Sequence, residues 1–316
     1  MPTSCLAIYE QKSYEHWHQC GPNVTRSPLL IDNGLKSESY DPARYDQAVA
    51  EYAGWVQRAQ TYSMHTHAVQ TPSEKVYLGS ILFIGVVLRA RSLLRLLPGS
   101  SLHSRDSEST LDFGSIASIA RSLMEACYVF YGLAIEDVPN AEWQARVLVA
   151  RLHEAVERRT MLRKLGDGGS QHDREVTDFI ENLRTELSDN THIGTLEEAD
   201  QQKCFQGGMP FLGSIQEIST HYLGDREYAR FLYKWLSNYS HQQPFAFFST
   251  SMDRGRGIEN AEEGNLTVLL LEQCNEHLIV CCQQYLDLFP HLDGLIEKKI
   301  ANAIDTNKHG HRTEVD

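Results

Sequence analysis

Uninterrupted apolar length is what this sequence most plainly lacks. Its greasiest stretch, residues 76–88, runs into Arg89, Arg91 and Arg95. That falls short of the roughly 20 apolar residues a membrane span needs, so it reads as a core helix with no membrane partner. MPTSCLAIYEQK has no basic start followed by an apolar run, and no secretory signal is expected. No two of the seven cysteines are spaced as CxxC; the odd count, with three in one apolar stretch, implies reduced, packed thiols and a cytoplasmic location. Positive charge is scarce as well: 29 Lys and Arg against 42 Asp and Glu give a net charge of −13. That balance disfavours nonspecific attraction to nucleic acid or anionic lipid over the whole surface, but leaves a local basic face free to bind either. There is no P-loop, no GxGxxG before a helix and no GxSxG elbow, so nucleotide-driven and serine-hydrolase chemistry are excluded and no cofactor is expected.

Helical periodicity is what the sequence has in quantity. The 316 residues, 41% hydrophobic and 22% charged, suffice for a sizeable core. Tyr45, Val49, Tyr52 and Val56 recur at spacings of three and four and predict a helix over about 42–62. Ser73 caps a second to about residue 97, stopped by Pro98 and Gly99. A third covers 114–135 and ends near Pro139. Asn140 caps a fourth to about 165. A helix at 172–187, shorter ones at 212–223 and 225–240, and a long apolar one at 262–289 follow. No alternating run demands a sheet, and no repeat of 20–50 residues is visible. The expectation is an all-α, multi-helix bundle: residues 1–37 as an irregular N-terminal arm, 38–306 as the helical domain with 166–210 as an insertion or cap, and 307–316 as a polar tail.

Two constellations carry chemistry. The segment GSIASIARSLMEACYVFYGLAI, residues 114–135, holds only two charges, Arg121 and Glu125, four residues apart and therefore on one helix face. A 100° step puts Gly114, Ser118, Tyr128 and Gly132 on the same stripe. The small residues there admit a ligand or another backbone, and Arg121 offers a planar fork for carboxylate or phosphate. The same pair also suits a purely structural tie between helices. In EYARFLYKWLSNYSHQQ, His241, Ser237, Lys234 and Arg230 share a face at steps of four, three and four. A basic face bearing a hydroxyl and an imidazole at a helix end suits an anion or a phosphodiester, with His241 as acid or base. It equally suits a solvated face whose terminal His is favoured by the helix dipole.

ARSLMEACYVFYGLA, EWQAR and YKWLSNYSH together resemble an uncharacterised bacterial all-helical family that carries an Arg-Ser-x-x-Glu helix and a Leu-Ser-x-x-x-His helix. The resemblance covers about residues 70–245 and implies a shared helical fold. A looser likeness is to the HEPN-type ribonucleases of toxin and phage-defence systems, whose signature is Arg, four to six residues, then His. Arg58 with His65 and Arg146 with His153 match formally, but roughly 2.7 such matches are expected by chance from the Arg and His counts. His241 lacks an Arg at that distance. His16-x-His18-x-Cys20, His65-x-His67 and His309-x-His311 have no partner pair at zinc spacing, and no metal is expected. Two functions follow as expectations. One is an RNA- or phosphodiester-directed effector of the toxin or defence kind, with His241, Arg121 and Glu125 catalytic and Lys234, Ser237, Arg230 and Tyr128 binding substrate. The other is a non-catalytic helical sensor or interaction protein that binds a small anion or a partner segment without turnover. Either reading admits a homodimer or a protein partner.

Overall fold

The computed structural model describes residues 41–67, 69, 71, 73–100, 102, 111–241, 243–248 and 261–290. The expected arm 1–37 and the expected tail 307–316 lie outside the described residues. Among those described are ten α-helices, a π-helical turn and a 3-10 turn, and no strand. The fold is an all-α, multi-helix bundle. The chain divides into two compact units, one of residues 1–134 and 219–316 and one of residues 135–218.

In the first unit, helices start where short polar side chains meet free N–H groups. Helix α1 (Pro42–Thr66) opens with Asp41 accepting from the Ala43 N–H at 3.0 Å, with proline at the first helical position. In α2 (Glu74–Leu96), the Ser73 hydroxyl accepts from the Val76 N–H. Asp112 caps α3 (Phe113–Phe130) through the Ser115 N–H at 3.1 Å. The expected third helix, 114–135, is not α-helical throughout: after Phe130 the backbone widens into a π turn, Tyr131–Ile135. An inserted residue of this kind leaves no trace in a 100° periodicity.

Four helices of this unit enclose its core. Long helix α10 (Ala261–Asp287) packs against α1, α2 and α3, and α2 lies between α1 and α3. The predicted α1 stripe of Tyr45, Val49, Tyr52 and Val56 is buried. Its aromatic hydroxyls find carbonyls: Tyr52 donates to Ala90 at 3.1 Å and Tyr45 to Pro98 at 3.2 Å. Phe83 of α2 stacks on Tyr285 of α10 at 3.9 Å between ring centroids. Gly79 makes the closest approach, since a Cβ there would lie 2.7 Å from Leu288 Cδ1 and 3.1 Å from Ala134 Cβ. Helix α8 (Arg226–Ser240), preceded by α7 (Ile215–Leu223) and followed by α9 (Pro244–Phe248), packs on α3.

The second unit takes in α4 (Asn140–Lys164) as well as the segment expected as an insertion. Its other helices are α5 (Gln171–Ser188) and α6 (Glu198–Gln206). The reason is an apolar α4 face, Ala145, Val149, Leu152 and Ala155, that packs on Val176, Ile180, Leu183 and Leu187 of α5. Asn140 is not the cap expected of it: it is the first helical residue, and no side chain caps this helix. The Gly-rich break at 166–170 is a built turn. Gly166 and Gly169 have positive φ, and Asp173 accepts from the Arg163 guanidinium at 2.9 Å and the Gly169 N–H at 3.0 Å. The Arg163 hydrogen bond, then the Gly169 N–H, hold the Asp173 carboxyl below its ordinary range.

Candidate anion site on helices α3 and α8

Helix α8 is strongly two-sided. Ala229, Leu232 and Leu236 are buried, while Phe113 at the start of α3 meets Tyr239 edge-on at 4.9 Å and Trp235 at 6.2 Å. This packing brings the outer edge of α8 over the polar stripe of α3. Arg121 Nε donates to Glu125 Oε1 at 2.9 Å, and Arg121 Nη1 donates to His241 Nε2 at 3.0 Å, across 120 residues of sequence. The guanidinium carbon also stands 4.6 Å from the centroid of the Tyr233 ring, a cation–π distance. Arg121, Glu125 and His241 are therefore brought together, with Tyr233 as the floor.

The enclosure is uneven. The Arg121 side chain is 13% exposed and the Glu125 side chain 35%, so the cation is sheltered while its carboxylate partner faces solvent. That differs from the enclosed pair expected from the uncharged helix: the Tyr233 ring of α8 lies against Arg121, while Glu125 keeps more than a third of its side chain exposed. A guanidinium has only donors, so His241 Nε2 accepts and the ring is neutral, with its proton on Nδ1. His241 itself is exposed and follows the last residue of α8, its backbone N–H bonded to the Ser237 carbonyl at 3.1 Å.

The remaining expected residues distribute differently. Ser237, one turn before His241, has an enclosed hydroxyl without a hydrogen-bond partner among the described residues. Lys234 is exposed on the outer face. Arg230 turns to Glu227 at 3.2 Å and is half exposed. Tyr128 does not join the cluster: buried, it bonds His277 Nε2 at 3.1 Å, on the deep side of α3. The His277 Nδ1–H donates to the Gln273 carbonyl at 2.8 Å, and the Tyr222 hydroxyl to the His277 carbonyl at 3.3 Å. Complete burial pushes the His277 pKa down to about 4 and the Tyr128 hydroxyl well up, so both are neutral structural groups near pH 7.

Sequence reasoning missed Tyr233. It lies about 60° off the basic face by helical geometry, and an aromatic ring beside Leu and Trp carries no polar signal. In the two formal Arg–His matches, each side chain has other contacts. His65 Nδ1 bonds the Thr61 carbonyl and Arg58 sits over Trp55. His153 Nδ1 bonds the Gly207 carbonyl, while Arg146 is held by Glu136 and Glu142. Among the described residues no group of three or more His, Cys, Asp or Glu side chains is placed to hold a metal. Five cysteines, Cys127, Cys204, Cys274, Cys281 and Cys282, are free and buried. No protein-family model, curated protein or solved structure matches this chain.

Proposed function

We propose that the α3–α8 cluster receives a phosphodiester and that the protein is an RNA-directed effector of the toxin or phage-defence kind. The observation that supports this reading best is the 3.0 Å contact between Arg121 and His241 at a solvent-facing edge. An arriving phosphate competes for the Arg121 fork, which has five N–H donors and uses two of them here. Its transfer to phosphate frees His241 Nε2. The ribose 2′-hydroxyl then gives its proton to Nε2 as its oxygen attacks the adjacent phosphorus. The bond to the 5′-oxygen breaks and that oxygen takes the proton back, leaving a 2′,3′-cyclic phosphate and a 5′-hydroxyl. Lys234 supplies long-range attraction, while Glu125 and Tyr233 orient Arg121; the enclosed Ser237 hydroxyl takes no part. The toxin and defence setting rests on the HEPN likeness alone.

The test is the chemistry of the product ends. Wild-type protein should yield RNA fragments ending in 2′,3′-cyclic phosphate. His241→Ala should retain its helical circular dichroism and lose about 10²–10⁴-fold in rate. Equal cleavage by both proteins, or none by wild type, would end the enzymatic reading. A second reading is favoured by one specific feature: Glu125 already neutralises Arg121, and His241 Nε2 is already occupied. That suits a sensor that binds a small anion without turnover, in which His241→Ala weakens binding of inorganic phosphate and no product forms.

A further inference from the structure

Helix α2 presents apolar side chains on two opposite sides. Phe83, Val86, Ala90 and Leu93 face the core and are fully buried. Tyr77, Ile81, Ile84 and Leu88 are 57%, 47%, 46% and 57% exposed. These four recur at steps of four, three and four, and a 100° step confines them to a stripe about 60° wide, directly opposite the core face. A row of large apolar side chains at heptad spacing on a solvent-facing helix is the seam of a helix pair.

We propose that this stripe is the interface of a homodimer in which two copies of α2 pack antiparallel about a two-fold axis. The charges at its two ends identify the occupant. Glu74 continues the stripe at the N-terminal end, and Arg91 and Arg95 continue it at the C-terminal end. A two-fold axis midway along the stripe sets Ile81 on Ile84 of the second copy and Tyr77 on Leu88. The next layer out then joins Glu74 to Arg91 of the second copy, so the surface is complementary to itself. Parallel packing would set Glu74 against Glu74 and Arg91 against Arg91, which like-charge repulsion opposes. By length and composition α2 could also cross a membrane, with 39% of that window buried in the protein. A bilayer, however, would gain nothing from opposite charges at the ends of the stripe. Arg89, beside the stripe, is also tied to Ser122 of α3 at 2.9 Å and to the Gly85 carbonyl at 3.0 Å, which holds α2 to the bundle.

Sedimentation equilibrium on the full chain tests this. Wild type is expected to sediment as a dimer and Ile81→Glu as a monomer with an unchanged helical spectrum. Glu74→Arg and Arg91→Glu should each weaken the dimer by at least about fivefold. The double exchange should restore wild-type affinity to within about threefold, which no loss of folding can mimic. A monomer at high micromolar concentration would overturn the proposal, as would a dimer indifferent to Ile81→Glu. So would two single changes not rescued by their combination, or a monomer that co-sediments with phosphatidylglycerol vesicles.

Discussion

Arg121 holds three contacts from one side chain, and their separate contributions can be measured. Glu125→Gln keeps the shape but removes the carboxylate from a sheltered cation, and the cost should be about 1–2 kcal/mol rather than the 3–5 typical of a fully buried pair. Thermal melts should show that loss in Glu125→Gln, and Tyr233→Leu should lose about 0.5–2 kcal/mol through the cation–π contact. His277 makes a different kind of claim. Its pKa falls from the ordinary 6.5 to about 4 in the folded protein, so between those values the unfolded chain binds more protons. Stability from this group is fully present above about pH 6.5 and is lost as the pH falls toward 4, by about 3 kcal/mol in all. Urea titrations from pH 7 to pH 4 should show His277→Gln losing less stability than wild type across that window. At this scale the sequence singled out Arg121, Glu125 and His241 because charge is rare in α3 and the His falls in helical step with Ser237, and the fold brings the three side chains into contact. It did not reveal that Tyr128 turns inward: a helical wheel gives a direction, not the neighbour that covers it, and α10 supplies that neighbour through His277.

Most helices were legible to within a few residues because their starts and periods are local. The short α6 and α9, of nine and five residues, carry too little period to be read. Asp41 and Ser73 cap where short polar side chains precede an apolar period, and the α1 stripe is buried as its spacing requires. The π turn after Phe130 and the reach of the second unit back to include α4 were not legible, since both are decided by packing between segments distant in sequence. Glycine substitutions separate local from packed positions. Gly207, which ends α6 at φ 70°, would set a Cβ 2.7 Å from Val156 Cγ2. Gly207→Ala should therefore destabilise by about 1–3 kcal/mol, through left-handed strain and overpacking together. Gly54, in the middle of α1 with open space around it, should gain about 0.5–1 kcal/mol as Ala. Differential scanning calorimetry on the two variants reads both signs.

At the scale of the whole molecule, a net charge of −13 and a local cationic fork pull in different directions. The acidic surface keeps polyanions away in general. On the proposed reading an RNA strand is drawn to the Arg121 fork against that field, and its binding should weaken with salt. The polar pair on α3 and the imidazole after α8 become one site only through the fold, which places them 3.0 Å apart. The central claim is that they act as a unit, and a double-mutant cycle on RNA cleavage tests it directly. Arg121→Met and His241→Ala should each cost about 10²–10⁴-fold, and the double variant should be little worse than the worse single. Losses that multiply would mean two independent effects, and with them the Arg121–His241 site would fail as an account of this protein.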